Sequence, residues 1–348
     1  MILRLLLGDQ LNLNHSWFEK VDDSVCYVIM EVQQETNYVK HHIQKVIAFF
    51  NAMRQFKTDL EQRGHRVHYI ELNDKTNSQS LTKNLLHLID VYQARVFEYQ
   101  YPDEYRLDKQ LEDFCKTLSI RTNTIDTEHF MTSRTFLSSF FEGKKQLVME
   151  YFYRRIRKDF NLLMEGENPL GGAWNFDKNN RNKWKGSPII PKAYRVDSSN
   201  LDSLTTMLRE EEVTTLGTID STSFLYPASR KEALLQLEYF NKNLLRYFGF
   251  YQDAMHTEEV NLFHSRLSFA LNTKMVTPLE VVQSVIDYHH QNEDEIDISQ
   301  VEGFVRQIIG WREFMRIVYH REGRKQRTSN FWNFKRKIPK SFYDGTTG

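Results

Sequence analysis

Two patterns of hydrophobic and polar residues follow one another along the chain. Before residue 126, short apolar runs rich in β-branched residues alternate with segments whose apolar residues recur at helical spacing. The runs cover residues 2–7, 25–32, 66–72, 94–99 and 120–125, and the helical segments cover residues 41–63, 80–92 and 104–118. Strands and helices in series predict an α/β domain with a doubly wound parallel sheet.

After Thr127 the strand pattern ends and helical spacing remains. Residues 165–197 form a long connector rich in Gly, Pro and Asn, whose aromatic residues Trp174, Phe176 and Trp184 argue against disorder. We predict an α/β domain over 1–130, a helical segment with the connector over 131–199, and an all-α domain over 200–348. The helices are predicted at residues 144–164, 200–209, 230–248, 261–271, 277–291 and 299–320.

The composition indicates a globular protein large enough for two cores. The chain has 348 residues, a formal net charge of zero and two cysteines, Cys26 and Cys115, without metal-ligand spacing. The first apolar run is too short for a secretory signal, and no apolar stretch is long enough to span a membrane. We expect a cytoplasmic monomer with reduced thiols, no membrane contact and no metal site among these residues.

Charge is unevenly placed despite the neutral total. From residue 301 onward basic residues outnumber acidic ones, and aromatic residues such as Trp332 lie among them. Such a stretch suits contact with a nucleic-acid backbone, with Arg324, Lys325 and Arg327 as candidate contacts. A solvated charged face is the alternative.

The predicted sheet brings two acidic residues to one edge. Gly8 and Asp9 follow the first strand in "LLGDQLN", and Glu35 follows the second in "EVQQETNYVKHH". Parallel sheets bind ligands outside the carboxyl ends of their strands, where these carboxylates could accept hydrogen bonds from a heterocycle or its ribityl hydroxyls. No GxGxxG or GxxxxGK[ST] phosphate loop occurs. The alternative is a common turn at Gly8 and Asp9 with a solvated acid at Glu35.

Two further stretches carry candidate chemistry. In "FHSRLSFALN", Ser265 and Ser268 lie near a predicted helix start, where an anion would be stabilised, although helix capping explains serine equally well. The loop "GGAWNFDKNNR" has turn residues that need no special explanation, but it also holds Trp174 and ends at Arg181. We predict that Arg181 reaches DNA, with a connector fixed by local turns as the alternative.

These stretches occur in an order and spacing that resemble a known family. With "MEYFYRRIR", "YFGFYQDAM" and "VEGFVRQIIGWREFMR", the chain is similar throughout to the N-terminal two thirds of the bacterial iron-sulfur cryptochrome/photolyase family. That family includes prokaryotic (6-4) photolyases and deoxyribodipyrimidine photolyase-related proteins. The resemblance implies an α/β antenna domain followed by an all-α domain that binds FAD.

The resemblance also assigns roles to residues. It implies a ribityllumazine-type antenna chromophore over Gly8, Asp9, Gln10 and Glu35. It assigns no catalytic residue. The residues implied for FAD are Tyr251, His264, Ser265, Arg266, Leu267, Ser268, Gln307, Trp311 and Arg312.

Family members continue for a substantial segment beyond the position of Gly348, so we expect a C-terminally truncated chain with an incomplete FAD domain. The four cysteine ligands of the family's 4Fe-4S cluster lie in that further part, and Cys26 and Cys115 match none of them. The implied function of the complete protein, a DNA photolyase and therefore a lyase, is light-driven, FAD-dependent repair of UV-damaged DNA, with (6-4) lesions as the expected substrate. The alternatives are a cryptochrome-like blue-light receptor without repair activity and an inactive remnant.

Overall fold

The structure is a computed structural model that describes residues 1–196 and 200–347. Its contacts divide these residues into two compact units. The first combines Met1–Met131 with Leu163–Val305, and the second combines Thr132–Leu162 with the chain from Arg306 onward. These units group the chain differently from the three segments predicted from sequence, whose boundaries at 130 and 199 stay a prediction.

The first unit contains a parallel sheet of five strands in the order β3-β2-β1-β4-β5. The strands are β1 (Ile2–Leu5), β2 (Val25–Met30), β3 (Val67–Ile70), β4 (Val96–Gln100) and β5 (Arg121–Ile125). Between them lie the helices α1 (Gln33–Asn37), α2 (Ile43–Gln62), α3 (Leu81–Val91) and α4 (Tyr105–Thr117). The predicted α/β fold class is confirmed, because every predicted strand is present and pairs in parallel.

Burial explains why these runs become strands. Every residue of β2 is buried, as expected for a central strand covered on both faces, and Leu3, Leu5, Phe97 and Leu111 share one apolar core with it. Strands β1 and β4 are neighbours. The connection after β1 leads to β2 on one side, and the connection after β4 leads to β5 on the other, so the two loops leave the sheet in opposite directions. Such a switch point opens a crevice at the carboxyl ends of the strands.

The rest of the first unit is mainly helical, as predicted. Its helices are α7 (Leu201–Glu210), α8 (Arg230–Asn243), α9 (Leu245–Tyr251), α10 (Ser268–Asn272), α11 (Pro278–His290) and α12 (Ile298–Val305). A small antiparallel hairpin, β6 (Met164–Glu165) and β7 (Asn168–Pro169), corrects the prediction of no strand after residue 127.

The predicted helix at 261–271 is wrong for most of its length. Leu262 and Arg266 have φ values of +40° and +56°, in the left-handed region, which a right-handed helix cannot include. Helix α10 therefore begins only at Ser268 and has five residues. A helix this short gives little support to the predicted anion site at its N-terminus.

The second unit is built from helices around aromatic residues. It contains α5 (Arg134–Phe140), α6 (Met149–Asp159), a π-helical segment (Arg306–Arg312), α13 (Glu313–Thr328) and α14 (Ser341–Asp344). The rings of Phe141 and Phe152 lie 6.0 and 6.2 Å from that of Phe314. Gly310 permits close packing, because a Cβ there would lie 3.1 Å from Met149 Sδ. Residues 299–320, predicted as one helix, belong to three consecutive helical spans: α12, the π-helical segment and α13.

Candidate cofactor sites and basic surface

A cavity of about 250 Å³ lies at the carboxyl ends of the strands in the first unit. The predicted residues Gly8, Asp9 and Glu35 line it, together with Asp103 and Glu104, which follow β4. Gly8 lies close to α2, because a Cβ at this position would lie 2.9 Å from Met53 Sδ and the Met53 side chain would have to shift. Most of the remaining wall is apolar and includes Met30, Val46, Phe50, Leu81 and Leu107, while Thr36, His41 and Lys45 add polar groups. We name this space the sheet-edge cavity.

A buried lysine, Lys274, contacts two of the carboxylates that line the sheet-edge cavity. Lys274 Nζ lies 3.3 Å from Asp9 Oδ2 and 2.8 Å from Asp103 Oδ2, and it donates to the Asp9 carbonyl oxygen at 2.7 Å. Lys274 is only 1% exposed. Burial alone would lower the pKa of Lys274, but the two carboxylates outweigh it and raise this pKa. Burial raises the pKa of Asp9, and Asp103 adds to the effect while Lys274 opposes it.

A second cation holds Glu35. The Arg106 guanidinium donates to both Glu35 carboxylate oxygens, at 3.0 and 2.7 Å, and to Glu104 Oε1 at 2.9 Å. Its Cζ also lies 4.2 Å from the centre of the Tyr38 ring. Neither Arg106 nor Lys274 lines the cavity, so the carboxylates face it and their partner cations lie behind them.

Gln10 does not line the sheet-edge cavity. Its side chain is buried, accepts a hydrogen bond from the Leu7 backbone N–H at 3.0 Å and donates to the Gln100 carbonyl at 3.2 Å. This position gives Gln10 a role in fixing the loop after β1 rather than in touching a ligand.

A second cavity, of about 540 Å³, lies in the helical part of the first unit. One wall is the connector from Trp184 to Ala193, and the other runs from Glu258 to Arg266. The connector is held in place by the Trp184 indole N–H, which donates to the Pro188 carbonyl at 2.9 Å, and by the Tyr239 hydroxyl, which donates to the Lys192 carbonyl. We name this space the connector cavity.

Arg266 is the residue in the wall of the connector cavity that is best suited to bind an anion. Its Nη1 is buried and has no hydrogen-bond partner, and within the described residues no carboxylate pairs with its guanidinium. Burial lowers the pKa of Arg266, which nevertheless stays charged because arginine is so basic. The Arg266 side chain is half-buried and its Nη1 needs an acceptor, and a guanidinium binds phosphate oxygens in a bidentate geometry. The site therefore fits the pyrophosphate of FAD.

Four of the other residues predicted for FAD are sequence neighbours of Arg266. His264 lines the connector cavity, and burial lowers the pKa of its imidazole. Leu267 is buried, and Ser265 Oγ accepts from the Leu267 N–H at 3.5 Å. Ser268 is the first residue of α10.

Tyr251 lies beside the connector cavity rather than in its wall. Its hydroxyl donates to the Ser187 carbonyl at 3.3 Å, and its ring lies 5.3 Å from that of Phe263. Tyr251 thus supports the connector.

Gln307, Trp311 and Arg312 belong to the second unit, within its π-helical segment. Trp311 is 42% exposed, and its ring lies 6.2 Å from that of Phe314. π-Helical turns occur frequently at functional sites. Contact of these three residues with FAD stays a prediction.

The basic residues predicted for DNA are exposed. Arg181 follows the loop from Gly171, which is attached to α12 through a hydrogen bond from the Phe176 N–H to Glu302 Oε2 at 3.2 Å. In the second unit, Arg324, Lys325 and Arg327 lie in the last turns of α13. Because they are exposed, both groups of residues could contact a polyanion, and their contact with DNA stays a prediction.

The two cysteines lie far from one another in sequence and in different elements. Cys26 is buried in β2, Cys115 lies half-buried in α4, and burial raises the pKa of both thiols. Across residues 1–196 and 200–347, no group of three or more His, Cys, Asp or Glu side chains is arranged to hold a metal ion. Within the same residues, no helix is both long and apolar enough to cross a membrane.

Sequence reasoning missed Asp103, Arg106 and Lys274. Asp103 and Arg106 follow β4, so the strand-end rule that selected Asp9 and Glu35 could have found them. No sequence signal indicated Lys274, because it is 265 residues from Asp9 and its position depends on tertiary folding.

A parallel sheet followed by a helical part is the fold of the photolyases. The crystal structure of a bacterial class III photolyase from Agrobacterium tumefaciens matches with a TM-score of 0.59 and 13% identity, covering 99% of this chain and 64% of that chain. The chain belongs to the family described as deoxyribodipyrimidine photo-lyase-related protein, which matches residues 4–224. It is therefore a member of a family of DNA-repair lyases and flavoproteins.

Two curated relatives are similar to the chain. A (6-4) photolyase from Agrobacterium fabrum is 34% identical over 99% of this chain and 68% of its own length. An uncharacterized protein, R853, of Acanthamoeba polyphaga mimivirus is 37% identical over 28% of this chain and 74% of its own length. The chain thus spans about two thirds of the photolyases it matches.

Proposed function

We propose that the protein binds FAD and acts in light-driven repair of UV-damaged DNA, with the (6-4) photoproduct as its lesion. The observation that carries this proposal is the 34% identity to a (6-4) photolyase over 99% of the chain. The connector cavity supports it, because the half-buried Arg266 in its wall has a buried Nη1 without a partner, which suits a pyrophosphate.

FAD would be held by its phosphates at Arg266, next to His264. When bound, FAD supplies the electron chemistry that blue light starts. The connector from Trp184 to Ala193 covers one side of the cavity. Burial keeps the imidazole of His264 neutral near pH 7, since its pKa is lowered, so Arg266 is the fixed positive charge of this pair.

The sheet-edge cavity would take the ribityllumazine-type antenna chromophore. Asp9 and Glu35 offer hydrogen-bond acceptors to its ring N–H and ribityl hydroxyl groups, while Met30 and Phe50 provide apolar contact for the ring. The 4Fe-4S cluster of the family needs four thiolate ligands. The described part of the chain has two cysteines, Cys26 and Cys115, so it does not provide a fitting ligand set.

DNA would be contacted by Arg181 and by the basic end of α13. Their positive charge binds phosphates without regard to sequence, while preference for a lesion comes from the lower cost of extruding an already unstacked base pair. Lesion preference and salt dependence are therefore separate quantities that can be measured independently.

The test uses the full chain reconstituted with FAD and matched duplexes with and without one (6-4) photoproduct. We expect tighter binding of the damaged duplex, a log-affinity that falls linearly with log salt by about 0.9 per phosphate contact, and loss of the lesion under blue light. A protein kept in the dark is the control for repair. Flavin binding without lesion preference or repair would instead favour a signalling flavoprotein, and absence of flavin binding would favour an inactive remnant.

A further inference from the structure

The loop that carries Arg181 is attached to one side of α12. A Cβ on Gly171, at the start of the loop, would lie 3.1 Å from Ile298 Cγ2, and the Phe176 N–H donates to Glu302 Oε2 at 3.2 Å. Ile298 and Glu302 are four residues apart, so they lie on the same side of the helix. The loop therefore follows the surface of α12 before it reaches Arg181.

Asn180, the residue before Arg181, fills a slot between α9 and α12. It is fully buried, and a Cβ on Gly303 of α12 would lie 2.8 Å from its Nδ2, while a Cβ on Gly249 of α9 would lie 3.2 Å from its Oδ1. Its Nδ2 donates to the Ser299 carbonyl at 3.4 Å, and its Oδ1 has no hydrogen-bond partner among the described residues. The fit of the amide between two glycines, more than this long hydrogen bond, holds Asn180 in place.

Exposed cations flank this buried residue. Three of them lie within three residues of Asn180, namely Lys178, Arg181 and Lys183. On the other side of Arg181, the Asn182 N–H donates to the Phe250 carbonyl of α9 at 3.1 Å. The backbone is thus attached to the helices both before and after Arg181. A loop that is already ordered loses less conformational entropy when it binds a ligand.

We propose that Asn180 is a positioning residue for DNA binding, because its amide between α9 and α12 holds Arg181 and the neighbouring cations in the arrangement that contacts phosphates. The inference rests on the proposed binding of DNA and adds the residue that orders the loop for it. A loop released from the slot would keep its charge but would have to be ordered on binding. The affinity should therefore fall while the number of phosphate contacts stays the same.

Asn180→Ala in the full chain tests this separation, with an intact duplex and a matched duplex that contains one (6-4) photoproduct. We expect binding of both duplexes to weaken about fivefold, because the ordering cost is now incurred on binding. The slope of log affinity against log salt should change by less than about 0.5, because every cation is retained. Asn179→Ala is the matched control, since Asn179 is the exposed neighbour of Asn180, and it should bind like the parent.

Gly303→Ala tests the slot without changing the loop. The new Cβ would displace the Asn180 amide, so we expect the same loss of about fivefold. If both substitutions act by releasing Asn180, the double variant N180A/G303A should also lose about fivefold, and not the roughly 25-fold of two independent effects.

Amide hydrogen exchange separates release of the loop from a general loss of stability. The exchange rate of the Asn182 N–H, which bonds to α9, should rise about tenfold in Asn180→Ala and in Gly303→Ala, while the amides of β2 keep the parental rate.

If Asn180→Ala binds both duplexes like the parent, or if the losses of the two single variants multiply in the double variant, the inference is wrong while the DNA-binding proposal stands. If the parent binds neither duplex, the DNA-binding proposal itself is wrong and the inference fails with it.

Discussion

Each of the two cavities of the first unit has a cation beside it, buried for Lys274 and half-buried for Arg266, but the cations differ in their partners. Lys274 beside the sheet-edge cavity contacts Asp9 and Asp103, whereas Arg266 in the connector cavity has no carboxylate partner within the described residues. The first cavity therefore presents hydrogen-bond acceptors to a ligand, and the second presents a guanidinium Nη1 without a partner, in a wall that also contains Glu258 and Glu259. The pairing of a cation, and not its presence, decides which class of ligand it can bind.

This difference arises within one short stretch of chain. Arg266 precedes α10 and Lys274 follows it, and both have left-handed backbone conformations, with φ values of +56° and +65°. The short helix between them places the two side chains in different surroundings. A single segment thus contributes a cation to each candidate cofactor site.

The largest expected effect comes from Lys274→Met. Removing the cation takes away the ammonium group that both Asp9 and Asp103 contact, and we expect the free energy of unfolding to fall by about 3 kcal/mol. Urea unfolding at neutral pH measures this loss. A change below about 1 kcal/mol would mean that solvent already screens the two carboxylates and that the comparison with Arg266 overstates their burial.

Arg266→Met should show the opposite pattern. No carboxylate loses a partner, so we expect the unfolding free energy of the protein without FAD to change by less than about 1 kcal/mol, while FAD binds about 30-fold more weakly. Titration with FAD measures the affinity. Riboflavin, which lacks the pyrophosphate, is the control ligand and should lose little affinity. Equal losses for both ligands would contradict a phosphate contact.

Inorganic pyrophosphate should distinguish the cavities without any substitution. At concentrations on the order of 10 mM we expect it to weaken FAD binding about fivefold by occupying Arg266, and to leave lumazine binding unchanged because four carboxylates line the sheet-edge cavity. Sodium chloride at matched ionic strength controls for screening. Displacement of the lumazine by pyrophosphate would contradict the proposed difference in charge.

The smallest effect is expected for Arg181→Ala, which removes an exposed cation rather than a buried one. DNA binding should weaken about threefold, and the slope of log affinity against log salt should fall by about one. FAD and lumazine affinities should stay unchanged. Lys158→Ala, another exposed cation at the end of α6, serves as a comparison for a general change in charge. Equal effects of both variants would remove any special role for Arg181.

Much of the fold follows from local pattern. The five strands and the helices α2 to α4 appear within a few residues of their predicted bounds, because alternating apolar runs and helical spacing are local properties of the sequence. The strand-end rule also brought Asp9 and Glu35 to the same cavity from sequence alone. The predicted helix at 261–271 failed because the left-handed residues Leu262 and Arg266 carry no local signal of the kind that glycine gives.

The sequence by itself determined the α/β fold of the first part, the helical character of the second and the edge where a ligand could bind. Only the tertiary structure decided which charges meet. Lys274 contacts Asp9 across 265 residues of sequence, whereas Arg266 contacts no acid in the described chain. Electrostatic energy depends on distance and burial, which come from the packed fold, so two similar cations in one segment acquire different ligand chemistry.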